Sequence, residues 1–275
     1  MGLRVMQTSE NGAAPARRAQ SVDHDSAAGV HFASAAIAAK PFLQRLHAHW
    51  AALILEQLPM KGVILEVGCG ANPLVAPEYS EADRFVIRVD VRHGAAVTTQ
   101  ASALALPLRS GSVAAICMVD VFHHLPDARR FLYEVDRVLV DDGVLVMIEP
   151  WKTAWSSFVY RFLHHEPFVP SGDWTTGERP MSDANLALPW IVFSRDRDQL
   201  ARDHSSLSLE RLRIINPLAY LMSGGISSPI NPPALLFPVV RLVERLPLIR
   251  NNGLSALVVV RKTVTHNMVA MYDDT

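Results

Sequence analysis

The segment Val63-Ile64-Leu65-Glu66-Val67-Gly68-Cys69-Gly70-Ala71-Asn72-Pro73 decides the fold class. Its first five residues are apolar apart from one carboxylate, the pattern of a strand covered on both faces, as in a parallel sheet flanked by helices. Two glycines, one residue apart, then permit a tight turn and let the backbone come close to a ligand. Asn72 followed by Pro73 predicts a capped helix start. A buried strand that runs through glycines into a helix is where open α/β sheets bind nucleotides, above the strand's carboxyl end. Asp90 closes the next apolar segment, 22 residues after Gly68. That place and spacing suit a carboxylate that accepts hydrogen bonds from ribose hydroxyls, so the two features together point to an adenosine-containing ligand.

Outward from this turn, Phe85–Val89, Val113–Val119 and Val144–Ile148 are again continuous apolar runs and predict further buried strands. Between the last two lies a helix, with Asp127 as its cap, an apolar stripe of Phe131, Leu132, Val135, Val138 and Leu139, and Gly143 just past its end. This is a βαβ unit. Upstream, Phe42, Leu43, Leu46, Trp50, Leu53, Ile54 and Leu58 recur at three- and four-residue steps behind Pro41, and Pro59 closes that helix. Leu207–Ile215 and Leu254–Val260 predict two more strands beyond a long insertion. Residues 1–35 are rich in small and polar residues and are read as a mobile tail. Residues 36–275 form one α/β domain, with 151–206 inserted after the fifth strand.

Composition excludes several classes. Lys and Arg number 26 against 27 Asp and Glu, a formal charge of −1, which argues against electrostatic capture of nucleic acid. Cys69 and Cys117 are too few for a disulfide framework and suit a reduced protein. No apolar run reaches the roughly 18 residues of a membrane span, and the acidic residues near the N-terminus fit neither a secretory signal nor a transit peptide, so a cytoplasmic location is expected. The histidines come as side-by-side doublets rather than at helical spacing, and no metal-ligand set emerges. Asn231-Pro232-Pro233 is a turn signal. Leu235, Leu236, Val239, Val240, Leu242, Val243 and Leu246 predict an amphipathic helix over 234–246, with core packing the stronger reading and peripheral membrane contact the lesser one.

Taken together, the chain resembles the class I S-adenosylmethionine-dependent methyltransferases. Their acidic-x-Gly-x-Gly motif stands here as Glu66-Val67-Gly68-Cys69-Gly70. Ser102-Ala103-Leu104-Ala105-Leu106-Pro107-Leu108, Phe122-His123-His124-Leu125, Glu134-Val135-Asp136-Arg137-Val138-Leu139, Asp142-Gly143 and Ile148-Glu149-Pro150 follow in the family's order. The resemblance implies a Rossmann-like, seven-stranded, mostly parallel sheet with helices on both faces, and S-adenosylmethionine as cofactor with S-adenosylhomocysteine as product. It implies that Gly68 and Gly70 pass beneath the methionine and ribose, that Glu66 orders the loop and the ligand's ammonium, and that Asp90 binds the ribose. It further places Cys69, Asn72, Val91, Ser102, Ala103, Val119 and His123 around the cofactor. Two positions depart from the family: Ser102 replaces the Asp that contacts the adenine amino group, and Val113-Ala114 replaces Phe-Asp before the fourth strand.

The inserted segment is expected to form an acceptor-binding cap. Trp151, Trp155, Trp174 and Trp190, with Tyr160, Phe162, Phe168 and Phe193, are read either as walls of an apolar pocket or as anchors of the cap. His124, His164 and His165 are the candidate bases, His124 being best placed. The expected acceptor is a small apolar or aromatic molecule, with O-methylation favoured over C-methylation. Methylation of a lipid or glycan precursor and a non-catalytic cofactor-binding protein are the alternatives. An NAD-dependent oxidoreductase is the weakest reading, because Pro73 stands where a dinucleotide site asks for its third glycine.

Overall fold

A computed structural model describes residues 27–70, 72–75, 83–164, 166–179 and 183–263. The predicted apolar runs become strands β1 (Gly62–Val67), β2 (Arg84–Asp90), β4 (Val113–Val119), β5 (Leu139–Pro150), β6 (Leu207–Ile215) and β7 (Ser255–Lys262); a two-residue strand, β3 (Thr99–Gln100), adds to them. They form one seven-stranded sheet in the order β3-β2-β1-β4-β5-β7-β6, in which β7 runs antiparallel to both β5 and β6 and the other pairs are parallel. The chain leaves β1 toward one edge through β2 and β3, then crosses back to β4 on the other side. This reversal opens a crevice beyond the carboxyl ends of β1 and β4.

Both faces of the sheet are covered, which is why the central strands carry no polar alternation. On one face, α2 (Pro41–Leu55) buries Phe42, Leu43, Leu46, Trp50, Leu53 and Ile54, the predicted stripe, with its proline in the first turn. Short helices α7 (Ala219–Ser223) and α8 (Phe237–Val243) join it. On the other face, α3 (Ala128–Val138) buries Phe131, Leu132, Val135 and Val138, and the Asp127 carboxylate caps it by accepting the Arg130 N–H at 2.9 Å. Residues of the insertion complete that layer: Trp151, Trp174, Leu188, Ile191 and Phe193 are all buried there. The insertion itself carries α4 (Ala154–Phe162), α5 (Leu188–Trp190) running into a π turn over Ile191–Arg195, and α6 (Arg197–Asp203). Among the described residues no helix is long and apolar enough to cross a membrane.

Several expectations change. The stretch read as tail is helical from Ala27: α1 (Ala27–Ala38) forms because its alanines, the best helix formers, outweigh the shortage of large apolar side chains. Residues 1–26 lie outside the described residues. Gly143 does not end α3. That helix stops at Val138, the chain enters β5 at once, and Gly143 sits inside β5 beside Asp142, which adopts a φ of +62°. The helix predicted from Asn72-Pro73 is not formed over 72–75; these residues bend so that Leu74 and Val75 give their N–H groups to the Glu66 carboxylate. Residues 71 and 76–82 lie outside the described residues.

Candidate functional site

Three loops meet at the crevice: the first and third are fastened to carboxylates at strand ends, the second to α3. The first follows β1. Gly68 (φ +70°) donates its N–H to the Val89 carbonyl at 2.7 Å, and Gly70 (φ +53°) donates to Asp90 Oδ2 at 2.9 Å. Positive φ at both positions is what the glycines supply. Asp90, only 4% exposed, also accepts the backbone N–H of Arg92 at 2.8 Å through Oδ1, with the Arg92 guanidinium 3.4 Å away. Glu66 is equally buried, and its pKa is raised, since burial outweighs the bonds from Leu74 and Val75 and the ion pair to Arg88 at 3.4 Å.

The second loop, residues 101–108, is latched to α3. Glu134 accepts the Leu106 N–H at 2.7 Å, while Arg137 donates to the Leu106 and Leu108 carbonyls at 2.9 and 2.7 Å and pairs with Glu134 at 2.7 Å. Ser102 turns this loop, its Oγ accepting from the Leu104 N–H at 3.2 Å.

The third loop follows β4. Asp120 takes φ +52°, a conformation that costs most residues 1–2 kcal/mol but that Asp tolerates. Beyond it, Glu149 Oε1 accepts the N–H groups of Val121 and Phe122, both at 2.8 Å, and Glu149 Oε2 lies 2.7 Å from His123 Nδ1. Burial opposes a charge on His123, but Glu149 and Glu166 push its pKa up to about 10, so the ring is an imidazolium between two carboxylates. Burial likewise opposes a charge on Glu166, and His123, His124 and His164 bring it down to about 2. This cluster joins the loop to the insertion. The donor atoms of His123, His124 and Glu166 lie within 4.8 Å of one another, a grouping the doublet spacing did not disclose because Glu166 arrives from the insertion.

These loops enclose a cavity of about 270 Å³. Of the expected cofactor residues, Gly68, Asp90, Val91, Ser102 and Ala103 line it, and so does His124 among the expected bases. The others stand elsewhere. Glu66 and Gly70 serve the loop, and the thiol of Cys69 is buried and pushed up to about 12 by desolvation and by Glu66 and Asp90. Asn72 is exposed and receives a hydrogen bond from Ser34 at 3.4 Å, Val119 packs on the α2 side of the sheet, and His123 is spent on its two carboxylates. His164 faces Glu166 at 4.0 Å and stacks edge-on against Tyr160; His165 lies outside the described residues.

None of the insertion's predicted aromatic rings lines the cavity. Trp174 is buried, donates to Asp196 at 2.9 Å and lies under the Arg129 guanidinium; Trp155 donates to the Pro217 carbonyl at 2.9 Å. They anchor the cap. The insertion reaches the cavity through Glu178, carried by a strap that pairs with the loop before α3: Ala128 N–H donates to Trp174, and Thr176 donates to the Pro126 and Leu125 carbonyls. Sequence reasoning missed Glu178, Arg92 and, above all, Asp120. Burial raises the Asp120 pKa from the ordinary 3.8 to about 7, with Glu149 and Glu166 adding to the shift and His123 opposing it. Its side chain makes no hydrogen bond among the described residues.

Residues 65–147 match the family described as a methyltransferase domain, a stretch that runs from β1 into β5. The Mycobacterium tuberculosis protein named "Probable S-adenosylmethionine-dependent methyltransferase MT3114" is 32% identical over 104 residues, 34% of this chain; the match spans only 37% of that relative's length. Among solved structures, geranyl diphosphate C-methyltransferase from Streptomyces coelicolor superposes with a TM-score of 0.51 at 13% identity, covering 81% of each chain. A chain of the complex formed by the Haloferax volcanii Trm112 methyltransferase activator superposes with a TM-score of 0.50 at 14% identity, covering 84% of this chain and 97% of that one. These two likenesses concern the fold.

The glycine turn yields a direct test. A Cβ on Gly68 would lie 2.4 Å from Val121 Cγ2, in addition to the cost of a positive φ. Gly68→Ala is expected to destabilise the chain by about 2–4 kcal/mol in denaturant melts. Adding Val121→Ala should recover part of that loss, since the clash is relieved and the φ cost stays; full additivity would show that the two residues do not touch.

Proposed function

We propose that this chain, whose residues 65–147 match a methyltransferase domain, is a class I S-adenosylmethionine-dependent methyltransferase that moves a methyl group from S-adenosylmethionine to a small, fairly hydrophobic acceptor, an oxygen rather than a carbon. One observation carries the reading: the cavity sits at the strand-order reversal, with the positive-φ glycine turn on one wall and the Asp90 carboxylate on the next. Asp90 Oδ2 has given one lone pair to Gly70 and retains another for a ribose hydroxyl. Ser102, which holds the family's adenine-contact position by resemblance, lines the same cavity and would meet the adenine amino group. Val67, Val89, Ala101, Leu104, Val121 and Leu125 make the remaining surface largely apolar, which suits an apolar acceptor.

Methyl transfer from a sulfonium needs little covalent help, because the leaving group is already activated; alignment of donor and acceptor supplies most of the gain, about 7–11 kcal/mol in well-oriented pairs. An oxygen acceptor must also lose a proton. His124 lines the cavity, and Asp120 faces it with a pKa of about 7 and no competing hydrogen bond among the described residues. A carboxylate poised near neutrality is matched to proton abstraction at physiological pH, and we assign that role to Asp120, with His124 beside it. His164 lies further from the cavity, against Glu166. Glu178 stands at the wall formed by the strap, where an acceptor would be sorted by charge.

A cofactor-binding protein without turnover is the second reading, favoured by Ser102, whose Oγ is already engaged with the Leu104 N–H. Transfer of labelled methyl from S-adenosylmethionine to pooled metabolite extracts, with the product identified by mass, separates the two: bound cofactor with no labelled product supports the second.

Calorimetry should show S-adenosylhomocysteine binding, weakened about 10- to 100-fold by Asp90→Ala, as expected for a charge-assisted bond of about 1.5–3 kcal/mol. A thermal shift by NAD and none by S-adenosylhomocysteine would reverse the assignment.

Asp120→Asn makes a paired prediction. A raised pKa means that ionising Asp120 costs folding stability, nothing below about pH 4 and increasingly up to about pH 7. The Asn variant should therefore be more stable than the parent by about 2–4 kcal/mol at pH 8 and equal to it near pH 4. Its kcat should fall about 10²- to 10⁴-fold, and the parent's kcat should rise with pH to a plateau above about 7. Unchanged kcat would remove Asp120 from proton transfer even if the stability gain appears.

A further inference from the structure

The segment after α7 turns its apolar side the wrong way. Ala234–Leu236 is a 3₁₀ turn that runs into α8, and α9 (Pro247–Arg250) follows. Leu235, Val239, Leu242 and Leu246 recur at helical spacing on one face and are 73, 56, 64 and 52% exposed; Leu248 is 90% exposed. The inward face holds Val240, Phe237 in edge contact with Phe42 at 5.3 Å, and the buried carboxylate of Glu244. Glu244 accepts the N–H groups of Leu218 and Ala219 at 2.9 and 2.7 Å and pairs with Arg241. The sequence pattern predicted core packing for the apolar set over 234–246, and Leu236 and Val240 meet it while Leu235, Val239, Leu242 and Leu246 do not. Glu244 takes the inward position instead because it caps the start of α7, and the leucines are rotated outward.

Charge accompanies this face. From Arg211 to Arg250 the chain carries five arginines, at 211, 213, 241, 245 and 250, and Glu244 is the single carboxylate, already buried. Arg245 and Arg250 are exposed beside the leucines. Burial, together with the positive field of Arg241, Arg213 and Arg245, holds the neighbouring His49 down at about 4.

We infer that this face lies on an anionic lipid bilayer surface, with Leu235, Val239, Leu242 and Leu246 at the boundary of headgroups and acyl chains and Arg245 and Arg250 against lipid phosphates. An exposed leucine stripe flanked by arginines is the pattern of an interfacial helix. A second copy of the chain fits less well: a two-fold contact through this stripe would bring the arginines of both copies together, and Glu244, the one carboxylate between residues 211 and 250, is occupied inside. The inference stands independently of the methyl-transfer reading.

Cosedimentation of the full chain with phosphatidylcholine vesicles, with and without phosphatidylglycerol, tests it. Binding to the anionic vesicles is expected, with little binding to the neutral ones and a loss on raising the salt. Leu242→Glu combined with Leu246→Glu should lower partitioning at least tenfold, and neutralising Arg245 or Arg250 about fivefold each, as expected for arginines near a charged surface. Tyr133→Ser, on the opposite face of the sheet, should leave partitioning unchanged. The leucine and arginine variants should keep the parent's melting temperature and its S-adenosylhomocysteine binding, because those side chains are exposed and none lines the cavity. Absence of vesicle binding by the folded parent overturns the inference, as does binding that the leucine variants leave intact. A dimer in solution that those variants dissolve, without vesicle binding, would assign the face to self-association instead.

Discussion

Three carboxylates at the carboxyl edge of the sheet hold the site together: Glu66 near the end of β1, Asp90 at the end of β2 and Glu149 near the end of β5, exposed by 2, 4 and 0%. Each is buried where a bare charge would be costly, and each offsets part of that cost by accepting backbone N–H groups from a loop. The arrangement works in both directions. The loop N–H groups, which have no strand to pair with, find acceptors, and the loops are drawn down onto the strand ends at fixed points, at Leu74, Gly70 and Val121. The shape of the cavity follows from where those points lie. Arg137 does the same for residues 106–108 with the charge reversed, donating to carbonyls.

The fold was legible in the sequence where burial is simplest. Strands covered on both faces read as unbroken apolar runs, and β4 and β6 coincide with their predicted limits. The stripes of α2 and α3 were clear because each buries one side against the sheet. Legibility failed where a distant residue decides the local structure. The bend at 72–75 answers to the Glu66 carboxylate, so the capping signal of Asn72-Pro73 goes unused. The first half of β5 contains Asp141, Asp142 and Gly143, residues that speak for a turn; pairing of Leu139 with Val113 overrides them.

The site divides along the same line. Gly68, Asp90, Val91, Ser102, Ala103 and His124 lie on or next to the strand ends and line the cavity; the turn and its spacing pointed to Gly68 and Asp90, and the family resemblance, with the order of its motifs, to the others. Asp120 carried a weaker signal, its place immediately after β4, and its raised pKa comes from Glu149 and Glu166 as well as from burial, neither of them near it in sequence. Glu178 arrives on the strap. The tryptophans left two readings open because aromatic content reports the area a segment buries, not the cavity it faces; the anchoring one holds for Trp151 and Trp174, which became core. The helix over 234–246 was recognised as amphipathic, but which side faces inward depends on Glu244 and two N–H groups at the start of α7.

The strap has a consequence for how the molecule assembles. Its Thr176 hydroxyl bonds to the Leu125 carbonyl at a separation of 51 residues, the Thr176 N–H donates to the Pro126 carbonyl, and the Trp174 carbonyl accepts from the Ala128 N–H over similar separations. Contacts this remote require loop-closure entropy to be met before they return anything. The half of the crevice built from β1, β2 and their glycine turn rests on shorter-range contacts and can mature first. The wall that carries Glu178 leans on a sheet whose own ladders do not include it, so its loop-to-loop hydrogen bonds can open while the strand pairing beneath stays in place.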